Sequence, residues 1–250
     1  MKRIRLTVAY DGTNYCGWQV QPNGISVQQV LDESLSRLLK TKVHTVGASR
    51  TDAGVHALGQ VVVFDTDARM PAEKYALALN TYLPADIRIQ DSREVRPDFH
   101  PRFAQTVKTY EYRIFNRQFP DPTKRLYSFF YYYLLDVEKM KEAASFLVGE
   151  HDFAGFCTHK PEVTNTVRTV YSLDVEKEGD MITLRVTGNG FLYNMVRIIA
   201  GTLIRVGGGS YPPEYIKEIL MSKDRSRAGE TARPEGLTLV KIEYPEETEK

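Results

Sequence analysis

Cysteine is nearly absent from this chain: Cys16 and Cys157 are the only two in 250 residues, far apart and without CxxC spacing. That count excludes a disulfide-built scaffold and a cysteine-based structural zinc, and it suits a reducing cytoplasm. Long apolar runs are missing too. The longest, Phe191 to Val206, is broken by Asn194, Arg197 and Arg205, so no membrane span is expected. No apolar stretch follows the basic start Met1-Lys2-Arg3-Ile4-Arg5-Leu6, so no secretory signal is expected. The chain lacks G-x-x-x-x-G-K-S/T, G-x-G-x-x-G between strand and helix, and H-E-x-x-H. Its one glycine run, Gly207-Gly208-Gly209-Ser210, follows a helical pattern instead of opening one, so it reads as a helix stop and turn. His151, Cys157 and His159 have no compact ligand spacing. Nucleotide, dinucleotide and metal chemistry all lose weight, and neither a cofactor nor a metal is called for.

A charge excess of either sign is also lacking. Thirty-three Lys and Arg face 32 Asp and Glu, a net +1. The last ten residues hold four Glu and two Lys, so the remainder carries 31 basic and 28 acidic residues, a net +3. Arginines gather between Arg88 and Arg117 and again between Arg225 and Arg233. Such local clusters permit nucleic acid to bind a restricted patch without demanding it. What is abundant is core material: 42% of residues are hydrophobic and 26% charged, the balance of a globular protein.

Along the chain, Ile4, Leu6 and Val8 alternate with Arg3, Arg5 and Thr7, which predicts a strand over Lys2 to Tyr10. A loop rich in Gln, Asn, Pro and Gly leads to Ser26, an N-cap for an amphipathic helix over residues 26 to 40. Strands are expected at Val43 to Ala48, Gly59 to Thr66 and Asp86 to Val95, with a helix from Pro71 to Asn80. Strand, helix, strand, strand, helix, strand is the split βαβ order. A Pro-bearing segment, Arg96 to Pro101, then marks a boundary, and the order returns in outline. Strands are expected at Val107 to Asn116, Leu126 to Tyr133, Val167 to Val175, Met181 to Thr187 and Leu237 to Tyr244. Helices are expected at Val137 to Leu147, Phe191 to Val206 and Pro212 to Met221. Most of the aromatic run Phe129 to Tyr133 is assigned to the core. The expected architecture is α+β: two ferredoxin-like halves, residues 1–103 and 104–250, with a ligand cleft where they meet.

Three segments carry candidate chemistry. The loop Gly47 to His56 holds Arg50 and Asp52 two residues apart among small residues. An ordinary polar turn accounts for it. So does a site in which desolvation would protonate Asp52 unless the Arg50 guanidinium kept it ionised. On the strand Lys108 to Arg113, Lys108, Tyr110 and Tyr112 share one face. They are sheet core, or an ammonium and two phenols facing a phosphate and a stacked base. On the helix, Asn194, Arg197 and Gly201 lie together beside the apolar stripe. Arg197 there either reaches out to water or turns to a carboxylate, for which Asp52 would serve. His56 is read only as a strand-end residue.

Taken together these residues resemble the TruA family of tRNA pseudouridine synthases. Arg50-Thr51-Asp52-Ala53-Gly54-Val55-His56 with Gly59-Gln60-Val61 is similar to that family's signature loop. Five further blocks follow in family order: Tyr10 to Thr13 with Tyr15, Gly17 to Gln19, Gln21 and Pro22; Asp98 to His100 with Arg102 and Phe103; Lys108 to Tyr112; Met195 to Arg197; and Glu235 to Leu237. Ser49 stands where many members carry Gly. The resemblance implies one extended, largely antiparallel sheet with flanking helices and a central cleft. It also implies a cytoplasmic homodimer that binds tRNA and isomerises uridine at positions 38, 39 and 40 of the anticodon arm. It makes Asp52 the catalytic aspartate, Tyr110 a base-stacking and proton-handling residue, and Arg50 and Arg197 supporting cations. Leu237 becomes an apolar wall, with Lys108 and Asn194 on the substrate.

The chemistry agrees with the absences. Moving the glycosidic bond from N1 to C5 gains no atoms or electrons, so it needs no triphosphate, redox cofactor or metal. It needs a carboxylate beside sugar and base, as nucleophile or base, and a group to take the C5 proton. The base must first leave its stack. Two rivals remain: a non-catalytic RNA-binding module, and a glycosidase-like hydrolase, which needs a second carboxylate that the loop replaces with Arg.

Overall fold

The computed structural model describes residues 1–159 and 164–245, which group into two compact units. The first holds Met1–Thr106 together with residues 239–245, and the second holds Val107–Thr238. The closing strand thus returns to the first unit, which a linear division at residue 103 does not provide for.

In the first unit the strands β1 (Lys2–Tyr10), β2 (Val46–Gly47), β3 (His56–Thr66) and β4 (Ile87–Val95) alternate with the helices α1 (Val27–Leu39) and α2 (Lys74–Leu79). The sheet runs β4-β1-β3 with β2 on β3, all antiparallel, which is the split βαβ arrangement. Helix α1 starts where expected, because the Ser26 side chain accepts from the Gln29 N–H. Leu31 and Leu35 on its inner face are fully buried. Helix α2 starts three residues later than Pro71 suggests, and Tyr75 on it meets Phe64 of β3 edge-on at 5.3 Å. The strand expected at Val43 to Ala48 shrinks to Val46–Gly47. Thr45 is instead drawn toward α1, its N–H and hydroxyl both donating to Asp32.

The face of β1 opposite Ile4 and Leu6 is not a solvent face. Arg5 is buried, with its guanidinium 4.9 Å from the Tyr244 ring, and the Tyr244 hydroxyl donates to the Pro101 carbonyl. A bulge interrupts the β1–β3 pairing between Val8 and Tyr10. An extra residue there re-aims the side chains beyond it. The first of these is Tyr10, beside the loop that carries Asp52.

In the second unit, β5 (Val107–Asn116), β9 (Met181–Gly188), β8 (Val167–Glu178) and β7 (Gly149–Asp152) form an antiparallel sheet in that order, with the short β6 (Phe129–Tyr131) parallel to β5. Helices α3 (Val137–Ser145) and α4 (Met195–Gly207) pack together, and α5 (Tyr215–Ser222) follows. The succession β5, α3, β8, β9, α4, with β9 between β5 and β8, repeats the first unit's logic. Two expectations fail here. Strand β6 ends after three residues, so Tyr132 and Tyr133 are exposed and none of Phe129 to Tyr133 is fully buried. Helix α4 begins at Met195 instead of Phe191, because Asn194 takes a left-handed backbone with φ 62°. The glycine run does stop α4, with Gly209 at φ 77°. Among the described residues no helix is long and apolar enough to cross a membrane.

Candidate active site

Asp52 sits half-buried on the loop joining β2 to β3, and the backbone around it is held from several sides. Before it, the Trp18 N–H donates to the Thr51 carbonyl at 3.1 Å, and the Thr51 and Tyr10 hydroxyls share a buried hydrogen bond of 2.7 Å. After it, the Val55 N–H donates to the Asp52 carbonyl at 3.1 Å and the Gly54 N–H to the Tyr15 carbonyl at 3.3 Å. The loop's entry is locked by Gln60, whose side-chain amide exchanges two hydrogen bonds with the Ser49 backbone at 3.1 and 2.7 Å. Gly17 lets the N-terminal segment lie against this turn. Its φ is 105°, and a β-carbon there would fall 2.6 Å from the Thr51 carbonyl oxygen. The Tyr10-Asp11-Gly12 and Gly17-Trp18 blocks therefore brace the backbone that carries Asp52.

Arg50 does not play the expected part of counter-ion to Asp52. It is exposed and makes no hydrogen bond or ion pair among the described residues. Its neighbour in charge is Arg102, whose Nη2 donates to the Gly47 carbonyl at 3.1 Å. Burial first, and the nearby Arg50 guanidinium second, push the Arg102 pKa below its ordinary value. Two like charges beside the aspartate loop make a basic patch open to an anion. Sequence reading missed this part for Arg102, which is 55 residues from Gly47.

In the second unit, Lys108 and Tyr110 lie on β5. Tyr110 is 6% exposed and meets Phe191 edge-on at 5.3 Å, a contact with no local sequence signal. Tyr112, two residues on, is core: it is fully buried, its hydroxyl donates to the Arg233 carbonyl at 2.8 Å, and burial drives its phenol pKa upward. Tyr112 thereby organises the turn Pro234–Gly236 that delivers Leu237, 6% exposed, to the start of β10 (Leu237–Glu243). Arg197 is half-buried on the first turn of α4 and does not run out to bulk water. Its Nε donates to the Ala232 carbonyl at 2.7 Å and its Nη1 to Asn194 Oδ1 at 3.2 Å. Asn194 in turn donates from Nδ2 to the Thr158 hydroxyl at 3.1 Å. The expected Asn194–Arg197 pairing holds, although Asn194 stands before the helix and not on it.

A family model described as tRNA pseudouridine synthase matches residues 6–104 and 143–245. A protein named tRNA pseudouridine synthase A from a Thermoanaerobacter species is 48% identical over 244 residues, covering 98% of this chain and all of that one. Relatives from Clostridium perfringens, named tRNA pseudouridine synthase A 2, and from Brevibacillus brevis, named tRNA pseudouridine synthase A, are 46% and 47% identical over the same shares. The chain belongs to the tRNA pseudouridine synthase family, enzymes that isomerise uridine to pseudouridine.

Proposed function

We propose that this protein is a tRNA-uridine isomerase acting at positions 38, 39 and 40 of the anticodon arm, with Asp52 as its catalytic carboxylate. The observation that carries the reading is the aspartate loop itself: a half-buried carboxylate whose flanking peptides are fixed on both sides, in a chain related over nearly its whole length to tRNA pseudouridine synthases. Holding a reacting group in one geometry removes entropy from the barrier, and that is the use of such a frame.

In the reaction, the uridine is drawn out of its stack and the C1′–N1 bond breaks beside the Asp52 carboxylate. The base turns, C1′ joins C5, and the C5 proton leaves as N1 regains one, so the atoms balance with no external reagent. Tyr110 stacks the base and handles the C5 proton through its phenol, directly or through water. Leu237 closes an apolar wall, Asn194 meets the substrate, and Arg197 supports the carboxylate. Arg50 binds a backbone phosphate or fills the vacated stack, as its exposed guanidinium allows. Lys108 serves as a further phosphate contact. The partner is tRNA, bound by a homodimer in the cytoplasm.

Incubating the purified protein with an unmodified tRNA transcript and mapping pseudouridine by a base-specific chemical readout tests this. Pseudouridine at one or more of positions 38 to 40 is expected. Tight binding without any modified base would make the protein a binding module.

A further inference from the structure

We infer that His56 is a positioning residue for the catalytic aspartate, acting through Nδ1 as the acceptor that anchors the Gly12 peptide against the aspartate turn. The inference rests on the assignment of Asp52 made above. His56 opens β3 and is 4% exposed, so its imidazole is not there to meet solvent. Its Nδ1 lies 3.1 Å from the Gly12 N–H, which donates to it. An amide hydrogen is received on a ring nitrogen's lone pair, so in this contact Nδ1 is the acceptor. Asp11 Oδ1 lies 3.2 Å from the same Nδ1 and already accepts from the Thr13 N–H at 3.0 Å.

The consequence for Asp52 follows the chain of peptides. Gly12 rests directly on the Val55 peptide, since a β-carbon at Gly12 would fall 2.0 Å from the Val55 carbonyl oxygen. The Gly12 carbonyl accepts from the Tyr15 N–H at 3.0 Å, and the Tyr15 carbonyl accepts from the Gly54 N–H at 3.3 Å. Val55 closes the turn onto the Asp52 carbonyl at 3.1 Å. The ring nitrogen therefore ties the N-terminal segment to the aspartate turn. A histidine that merely filled the core would need no acceptor at this position.

Asparagine and glutamine separate the two roles. His56→Asn places an amide oxygen where Nδ1 stands, whereas His56→Gln places it one bond further out, at the site of Nε2. The measurement is steady-state pseudouridine formation on an unmodified tRNA transcript, with melting curves for each variant. His56→Asn is expected to keep kcat within about threefold of the parent. His56→Gln is expected to lose about tenfold or more in kcat at unchanged KM, since a misplacement near 1 Å costs up to about a hundredfold. Full kcat in His56→Gln, a loss that appears in KM, or an equal loss in both variants overturns the inference. So does the disappearance of the native melting transition in both, which would make the histidine a fold residue. Asp52→Asn is run alongside. Turnover retained there removes the aspartate assignment and this inference with it, whereas an inactive Asp52→Asn beside a fully active His56→Gln removes this inference alone.

Discussion

At the scale of single residues, the two tyrosines of β5 are both buried and differ in the use proposed for their hydroxyls. Tyr112 donates its hydroxyl to the Arg233 carbonyl, whereas Tyr110 is the phenol proposed to meet the base. The ring of Tyr110 packs on Phe191, so Tyr110→Phe keeps that edge-to-face contact and removes only the oxygen. If the hydroxyl moves the C5 proton, kcat falls by about a hundredfold or more while tRNA affinity holds, within the range for loss of a general acid or base. Single-turnover rates and a filter-binding assay read the two separately, and a wild-type rate would reduce Tyr110 to a stacking surface. Asp52, Tyr110, Arg50 and Arg197 were all visible in sequence as residue types able to do this chemistry. What sequence did not show was their support. The hydroxyl pair of Tyr10 and Thr51 spans 41 residues, and the Arg197 contact to Ala232 spans 35. Spacing rules reach three or four residues along a helix and two along a strand, so contacts of that length leave no pattern.

Among the elements, those set by local rules were legible and those set by distant partners were not. Ser26 caps α1 and Gly179, with φ 57°, turns the β8–β9 hairpin, both as residue type dictates. Strand β7, with the polar sequence Gly-Glu-His-Asp, has no alternation to announce it and exists because β8 offers an edge. Helix α4 starts later than its sequence pattern suggests because Phe191 and Leu192 continue the apolar pattern while Asn194 breaks the backbone. The aspartate loop is itself an element-scale object, and Gly17 is its most sensitive point. Gly17→Ala meets the Thr51 carbonyl in a left-handed backbone, so it should cost about 1–3 kcal/mol. At roughly 2–4 °C per kcal/mol for a chain of this size, the melting temperature drops by several degrees. Turnover should fall with it even at temperatures where the protein stays folded. Gly179→Ala has the same sign of φ but open space around it, and should cost about 1–2 kcal/mol with turnover intact. Equal effects of the two on activity would mean that the loop is not held by this packing.

For the whole molecule, the α+β class and the repeated split βαβ order were readable from the succession of elements. The return of residues 239–245 to the first unit was not, because a closing strand carries no label for the unit it joins. Ion pairs distributed over both units set the response to acid. Arg3 donates to both carboxylate oxygens of Asp65 at 2.8 and 2.7 Å, and these bonds hold the Asp65 pKa below 3.8. The Lys223 ammonium does the same for Asp152. A carboxyl depressed on folding stabilises the native state above its unfolded value, and that stability is lost as pH falls through the folded value. Asp32 has the opposite sign, since burial raises it above 3.8, and its contribution is lost as pH rises. Asp121, Asp136 and Asp224 are depressed as well, so the lowered carboxyls outweigh the raised Asp32 and the melting temperature should decline as pH drops below about 4. Asp65→Asn should flatten that decline, which a series of melts between neutral and strongly acidic pH will show. An unchanged acid limb would mean that the Arg3 pair contributes nothing.

The proposed chemistry rests on one carboxylate, Asp52. Asp52→Asn keeps size and polarity and removes the charge, so the loop frame and the tRNA surface survive while the chemistry does not. Pseudouridine formation on an unmodified transcript should drop by at least about a hundredfold, with tRNA affinity and melting temperature close to the parent. Turnover within a few-fold of the parent in a folded, tRNA-binding Asp52→Asn would contradict it.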